Sequence, residues 1–282
     1  MRSSGWSPSA ISRTAPVSEP DLRTRMIEAL QLDLAELAKR PLQPIEVAVV
    51  DSGMDSTHPD LKDHVIEQWL VEQPKAPAGG REKPKLSSVP LGTQNDSYWH
   101  GTAVGGLIGG IAPNARLIDI RVLGADNKST SESMLLGLHH AIERGARVIN
   151  MSLAASDSSK AELFELLERA HYRDQIVIAA RRNFPAQGDG WPAALSACIG
   201  VGRDAFDRPS QFRWRQRFPI EVFGRGLDVT VAVPGGAYTS TFGTSFATPA
   251  ISGLVTLLLG AMPELGPPEV RALLKAHAIE VS

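Results

Sequence analysis

Short apolar runs alternate with helical patterns along most of the chain after Ile45. Runs rich in Val, Ile and Ala, which are typical of strands, lie at 45–50, 115–123, 146–153, 175–180, 197–202 and 227–233. Segments with apolar residues three or four positions apart, which predict helices, begin near His100, Ser131 and Lys160. The alternation predicts right-handed βαβ units, and therefore a three-layer α/β/α fold whose mostly parallel central sheet is covered by helices on both faces.

The first part of the chain has a different pattern. Ser, Pro and Arg dominate residues 1–20, so we expect this segment to be disordered. Residues 21–44 are predicted to be an N-terminal helix and linker, because apolar residues recur at helical spacing up to Leu37 and prolines at 41 and 44 end the pattern. Residues 45–282 then form one domain.

One long segment inside that domain lacks either pattern. Residues 72–97 are rich in Pro, Gly and Lys and predict a long surface loop.

The string at 210–218 interleaves basic and aromatic residues, which can stack on single-stranded nucleic acid. With a formal net charge of −2 for the whole chain, we interpret it instead as an exposed loop or an edge strand.

Composition narrows the range of partners. With 43% hydrophobic and 21% charged residues the chain has the make-up of a soluble globular protein, and its net charge of −2 argues against nucleic acid or an anionic membrane as partner. It shows neither the apolar core of a signal peptide nor an uninterrupted apolar run long enough to span a bilayer, so we expect a cytoplasmic location. The single cysteine, Cys198, is predicted to be a small core residue.

Three residues have the chemistry of a nucleophile, a base and a group that orients the base. Asp51 ends an apolar strand, His100 begins a predicted helix, and Ser245 follows Gly243 at the start of another. A serine at a helix N-terminus lies beside N–H groups that can also bind an oxyanion. Taken singly, each residue has an ordinary structural role: a turn aspartate, a surface histidine, a helix cap.

The residues around these three positions form extended motifs. They are AVVDSGMDSTHPDLKDH around Asp51, HGTAVGGLIGGIAPNARLIDIRVLGADN from His100, ARVINMSLA around Ser152 and GTSFATPAISG around Ser245. In this order they resemble the subtilisin-like serine peptidases, peptidase family S8, and the similarity runs from about Ile45 to the C-terminal helix. The resemblance implies a subtilisin-like fold and a serine endopeptidase that works through an acyl-enzyme intermediate.

The resemblance also implies a role for each residue. Ser245 would attack the scissile carbonyl, His100 would transfer the proton, and Asp51 would orient His100. Ser152, Leu153 and Ala154 would bind a peptide or protein substrate in extended form through main-chain hydrogen bonds. A role in maturing a specific precursor peptide is a further hypothesis, because the residues before Ile45 are too few for the inhibitory propeptide domain of many secreted relatives.

The chain departs from the family motif at the oxyanion donor. Where members read Ala-Ala-Gly-Asn, this chain reads Ala179-Ala180-Arg181-Arg182-Asn183. Without a gap Arg182 takes the position of the asparagine donor, and with one inserted residue Asn183 does. We predict Asn183, because an inserted residue is tolerated better than a lost donor.

Three further expectations follow. The short stretch between Gly106 and Ala112 leaves out the loop with which many members bind calcium, so no metal and no cofactor are predicted. The substitutions at Arg181 and Arg182 leave open a second function, that of a weakly active or inactive relative that binds peptides. A lipase or esterase is disfavoured, because Phe246 and Ala247 follow Ser245 in place of a Gly-x-Ser-x-Gly elbow.

Overall fold

The computed structural model describes residues 34–72, 83–183, 188, 190–216 and 219–281. Its helices are α1 (Leu34–Leu37), α2 (His100–Ile111), α3 (Ser131–Glu143), α4 (Lys160–Tyr172), α5 (Thr244–Ala261) and α6 (Pro267–His277), and a 3₁₀ turn spans Asp157–Ser159. The strands are β1 (Ile45–Asp51), β2 (Val65–Glu72), β3 (Lys85–Val89), β4 (Ala115–Arg121), β5 (Val148–Met151), β6 (Ile176–Ala180), β7 (Cys198–Asp204), β8 (Phe212–Trp214), β9 (Ile220–Arg225), β10 (Val229–Val233), β11 (Ala237–Thr241) and β12 (Glu280–Val281).

Ten strands form the central sheet, in the order β12-β8-β9-β7-β6-β5-β1-β4-β2-β3. The pairs β2–β3 and β8–β9 are antiparallel and every other pair in this sheet is parallel. Strands β10 and β11 form a separate antiparallel hairpin. The prediction of a mostly parallel central sheet is therefore confirmed.

The two faces of the sheet carry different helices. In β1, Val47 and Val49 belong to the core packed by α2, α5 and α6, whereas Ala48 and Val50 belong to the core packed by α3 and α4. This is the alternation that period-two geometry imposes on a strand buried on both sides. The three-layer α/β/α prediction is confirmed.

The apolar helix α5 is the centre of one helical layer. It is long and apolar enough to cross a bilayer, but 89% of its 18-residue span is buried inside the protein, as expected of a core helix.

Three of the sequence predictions change at the level of single elements. The segment 72–97, predicted to be a loop, contains the edge strand β3, whose main chain pairs with β2. The run at 227–233 does form a strand, β10, but outside the main sheet. The string at 210–218 contains β8, where Phe212 is fully buried and Trp214 is 6% exposed, so these two aromatic residues belong to the core.

The structure describes only some of the N-terminal residues for which predictions were made. The predicted disordered segment 1–20 lies outside the described residues. Of the predicted helix and linker at 21–44, the structure describes α1 and the residues after it, and Leu34 and Leu37 of α1 pack into the core beside α5.

Candidate active site

Strand geometry points Asp51 toward one helical layer. Asp51 is the last residue of β1 and lies on the same face as Val47 and Val49, since side chains alternate along a strand. That face is covered by α2 and α5, the helices that begin at His100 and Thr244. The fold therefore directs the carboxylate of Asp51 toward the helix starts that carry the other two candidate residues.

Helix α2 approaches the loop after Asp51 very closely. A Cβ atom on Gly101 would collide with the carbonyl oxygen of Gly53, so only glycine allows this distance. The N–H of Gly101 donates to Ser52 Oγ at 2.9 Å. His100, the residue before Gly101, is thus held against the end of β1.

Asp51 and His100 form a buried hydrogen-bonded pair. His100 Nδ1 lies 2.8 Å from Asp51 Oδ1, which also accepts from the N–H of Ser52 at 2.7 Å. The carboxylate is 0% exposed, and its Oδ2 has no hydrogen-bond partner among the described residues. A carboxylate in this position selects the tautomer with the proton on Nδ1 and leaves Nε2 as the base.

The pair shifts the pKa of His100 upward. Burial by itself lowers the pKa of the imidazole, but the charge of Asp51, its hydrogen bond and the charge of Asp96 together outweigh burial and raise the pKa above the usual 6.5. The protonated form of the imidazole is therefore stabilised at this position.

Ser245 lies one residue into helix α5. Gly243 precedes the helix with φ 153° and ψ 161°, a conformation that favours glycine. Pro249 lies four residues after Ser245 and has no N–H to donate to the Ser245 carbonyl oxygen. Ser152 Oγ donates to that carbonyl instead, at 3.0 Å. Because Pro249 leaves the Ser245 carbonyl free, this hydrogen bond can link the start of α5 to the residue after β5.

The hydroxyl of Ser245 is bound to the neighbouring main chain in this structure. Its Oγ donates to the carbonyl oxygen of Ser152 at 3.1 Å. His100 and Ser245 line the same cleft. A rotation about the Cα–Cβ bond of Ser245 would release the hydroxyl from Ser152, and the hydrogen bond between a nucleophile and its base often forms fully only when substrate binds.

A buried polar network lies behind Ser245. Asn150 lies in β5 and is 0% exposed; its Nδ2 donates to Ser152 Oγ at 3.1 Å, and its Oδ1 accepts from Ser252 Oγ at 3.0 Å. Sequence reasoning missed Asn150 and Ser252. The signal was present, because an asparagine within the apolar run VINM and a serine within an apolar helix both require buried partners.

The cleft beside these residues has a volume of about 400 Å³. Its described lining consists of His100, Leu123, residues 127–131, Met134, residues 152–156 and Ser245. Ser152, Leu153 and Ala154, predicted to bind substrate, therefore lie along the cleft that opens at Ser245. Asn127, Lys128 and Ser129, which follow strand β4 in the chain, also line this cleft.

A smaller cavity of about 210 Å³ contains the candidate oxyanion donors. Asn183 Oδ1 accepts from the N–H of Thr244 at 3.1 Å and from Thr244 Oγ1 at 3.2 Å, which leaves its amide nitrogen available for another acceptor. Arg182 Nη2 donates at 3.2 Å to the carbonyl oxygen of Ala155, the residue that follows the predicted substrate-binding residues 152–154. Of the two alternatives, Asn183 is the one bonded to the residue next to Ser245.

Asp96 organises the start of helix α2. Its Oδ2 accepts from the N–H and hydroxyl of Thr102 at 2.9 and 2.5 Å, and its Oδ1 accepts from Ser52 Oγ at 2.7 Å. Sequence reasoning missed this residue, because its role depends on a fold in which the segment before His100 meets the loop after Asp51. The carboxylate fastens these two segments together.

A second buried carboxyl, Asp119, joins the same region. Its Oδ2 accepts from the N–H of Met54 at 3.0 Å, from Gln68 Nε2 at 3.1 Å and from Asn95 Nδ2 at 2.9 Å, while Oδ1 has no partner among the described residues. Burial raises the pKa of Asp119 from 3.8 to about 7, against the lowering effect of these hydrogen bonds. Asp119 therefore retains its proton in the folded protein at pH values where the unfolded chain has lost it.

We expect the pH dependence of stability to change in the Asp119→Asn variant. A raised carboxyl pKa contributes stability that is fully present below pH 3.8 and is lost as the pH rises through about 7. A shift of this size corresponds to roughly a few kcal/mol. Asparagine mimics the neutral acid, so the free energy of unfolding of the variant should fall less between pH 4.5 and 7.5, as measured by urea titration.

The exposed Asp63→Asn substitution is the matched control for that experiment. It removes the same formal charge without removing a buried carboxyl, so its stability should follow the pH dependence of the parent protein. Equal pH dependence in the Asp119→Asn variant and the parent would show that Asp119 is ionised in the folded protein throughout this range.

Comparisons with known proteins identify one family. A family model described as the subtilase family, Peptidase_S8, matches residues 43–281. An intracellular serine protease from Paenibacillus polymyxa is 31% identical over 229 residues, which are 76% of this chain and 66% of that protein. Subtilisin DY from Bacillus licheniformis is 29% identical over 247 residues, 83% of each protein. The solved structure of sphericase has a TM-score of 0.67 and 23% identity, covers 86% of this chain and 88% of its own, and shows a common fold.

Proposed function

This chain belongs to the subtilase family and is a serine-type endopeptidase, and we propose that Asp51, His100 and Ser245 are its catalytic triad. The observation that carries the proposal is the buried Asp51–His100 pair, whose imidazole lines the same cleft as Ser245. In a serine triad, an aspartate in this position orients the histidine that removes the proton from the serine. We further propose a cytoplasmic location, which the word "intracellular" in the names of two relatives supports.

The mechanism follows from the positions of these atoms. The Ser245 hydroxyl turns from the Ser152 carbonyl to His100 Nε2 and attacks the scissile carbonyl as the imidazole takes its proton. Asp51 stabilises the imidazolium through Nδ1–H. His100 then gives the proton to the leaving amine, an acyl-enzyme remains on Ser245 Oγ, and water activated by the same imidazole hydrolyses it.

The substrate is a peptide or protein chain, which we propose to bind in extended form along residues 152–154. These residues follow strand β5 and line both the cleft and the smaller cavity beside Ser245. Main-chain groups at the end of a strand offer an extended peptide the hydrogen bonds of an added strand. Maturation of a specific precursor peptide remains a hypothesis within this function.

We propose that Asn183 donates to the oxyanion of the tetrahedral intermediate. Thr244 fixes its amide oxygen, and its amide nitrogen lies 3.8 Å from the position that a Cβ on Gly243 would occupy, two residues before Ser245. The donor group thus lies beside the turn that presents the nucleophile, as an oxyanion donor requires.

The Asn183→Ala variant is expected to lose about 10²–10³-fold in kcat with little change in KM, the loss that follows removal of one oxyanion donor in subtilisin. Such a donor acts on charge that develops only in the transition state, which is why kcat falls while KM does not. Steady-state kinetics on a fluorogenic peptide measures both constants, and the melting temperature confirms folding.

The Arg182→Ala variant is the informative comparison. Because the Arg182 guanidinium donates to Ala155, this substitution should cost clearly less kcat than Asn183→Ala. The reverse order of losses would assign the oxyanion contact to Arg182 and contradict the proposal.

A further inference from the structure

Trp99, the residue before His100, has an unusual backbone conformation. Its φ and ψ are 99° and −19°, in the left-handed region that bulky residues rarely adopt. The surroundings enforce this conformation: the N–H of Trp99 donates to Asp96 Oδ1 at 2.8 Å, and its carbonyl accepts from the N–H of Ala103 at 3.2 Å. Glycine would adopt this conformation without a steric penalty, so the large indole stands at a position where the backbone favours glycine.

The indole ring is fixed beside the catalytic base. It lies parallel to the ring of Phe246, with centroids 6.1 Å apart and an angle of 11°, and it meets the His100 ring edge-on at 6.1 Å. Tyr98 stacks on it at 5.7 Å. Trp99 is partly buried and retains an accessible surface, so the ring is held rigidly while part of it still faces outward.

That accessible surface forms one wall of a groove of about 420 Å³. The described residues that line the groove are Trp99, Val233, Thr239, Ser240 and Thr241, and none of them is charged. Threonine methyl groups and an indole ring favour an apolar occupant, and an aromatic ring stacks well on an indole. The groove has room for a large side chain.

The position of the groove indicates which part of a substrate reaches it. Among the described residues, it shares no lining residue with the cleft along residues 152–154, where we place the acyl part of the substrate. The leaving amine must approach His100, because His100 protonates it. The Trp99 ring meets the His100 ring edge-on at 6.1 Å, which brings the groove within reach of residues that follow the scissile bond.

We propose that Trp99 is a specificity-determining residue that binds a large apolar or aromatic side chain on the leaving-group side of the scissile bond. The inference rests on the proposed peptidase function and adds a substrate class to it: peptides with a residue such as Phe or Leu directly after the cut. If position 99 served only to fill space in the core, glycine there and a larger side chain nearby would do so without the cost of the left-handed conformation.

The test compares matched peptides. Cleavage sites are first mapped by mass spectrometry in a mixture of peptides of degenerate sequence, and the fastest-cut sequence is then made with either Phe or Ala after the scissile bond. The parent enzyme should have a kcat/KM about tenfold or more higher for the Phe peptide, the size of preference an apolar pocket supplies. In the Trp99→Gly variant the Phe-to-Ala ratio should fall to about one to two.

The Phe-to-Ala ratio measures recognition of the side chain separately from any general effect on His100, because His100 is the base for both peptides. Trp99→Phe retains an aromatic wall and should keep most of the preference. Tyr172→Ala removes an exposed aromatic ring on α4, outside the described lining of the groove, and should leave the ratio as in the parent.

The possible failures are distinguishable. A well-folded parent protein whose Ser245 does not react with a fluorophosphonate probe would contradict the proposed function itself. A labelled enzyme that cuts the Phe and Ala peptides equally, or keeps its preference in Trp99→Gly, would leave the triad standing and overturn the role of Trp99.

Discussion

Replacing Ser245 by alanine is expected to lower kcat for peptide hydrolysis by about 10⁶-fold, the loss that follows removal of the triad serine in subtilisin. Alanine offers no oxygen to form the acyl-enzyme, so only binding and the oxyanion donors remain. The fold should persist, because the hydroxyl contributes a single hydrogen bond, to Ser152, worth about 1 kcal/mol. The measurement is single-turnover hydrolysis of a fluorogenic peptide, with the melting temperature as a check on folding.

Ser88→Ala is the matched control for that variant. Ser88 lies exposed on the edge strand β3, so removal of its hydroxyl should leave kcat unchanged. Retention of more than a thousandth of the parent kcat by Ser245→Ala, with contaminating peptidase excluded by inhibitor titration, would contradict the assignment of the nucleophile.

The second large effect is expected for Asp51→Asn, with a loss of about 10⁴-fold in kcat. The amide no longer selects the tautomer with the proton on Nδ1, and the buried imidazole loses the negative charge that raises its pKa. His100 acts as base only when neutral, so kcat/KM for the parent should rise through a midpoint above pH 6.5. In the variant, burial dominates, and the midpoint of the residual activity should shift to lower pH.

The kinetic experiment is a pH–rate profile of both proteins. Asp207→Asn, an exposed substitution of the same chemistry, should retain the profile of the parent. An unchanged midpoint in Asp51→Asn would mean that the carboxylate does not set the basicity of His100, even if the rate itself fell.

Local patterns in the sequence predicted the parallel centre of the main sheet, and extended motifs indicated the three candidate triad residues. Five of the six predicted strands lie in the central sheet, since continuous apolar runs report burial on both faces. Asp51, His100 and Ser245 lie at an end of a strand or the start of a helix, where sequence motifs are most informative. The structure brings Asp51 against His100 and places Ser245 in the same cleft.

The remaining features depend on contacts between distant segments. Strand β3 lies in a polar segment and is defined by its pairing with β2, which no local pattern reports. Asp119 lies within the apolar run of β4, and its partners come from three other segments of the chain. The left-handed conformation of Trp99 follows from the hydrogen bond to Asp96, so the sequence alone offered no sign of it.

Labelling with a fluorophosphonate probe shows whether Asp51, His100 and Ser245 form an assembled triad. The probe reacts only with a serine whose proton a neighbouring base removes, and peptide mapping by mass spectrometry locates the label. We expect one label, on Ser245, that is absent from Ser245→Ala and strongly reduced in His100→Ala. A well-folded native protein that takes no label, or carries it on another residue, would contradict the triad assignment.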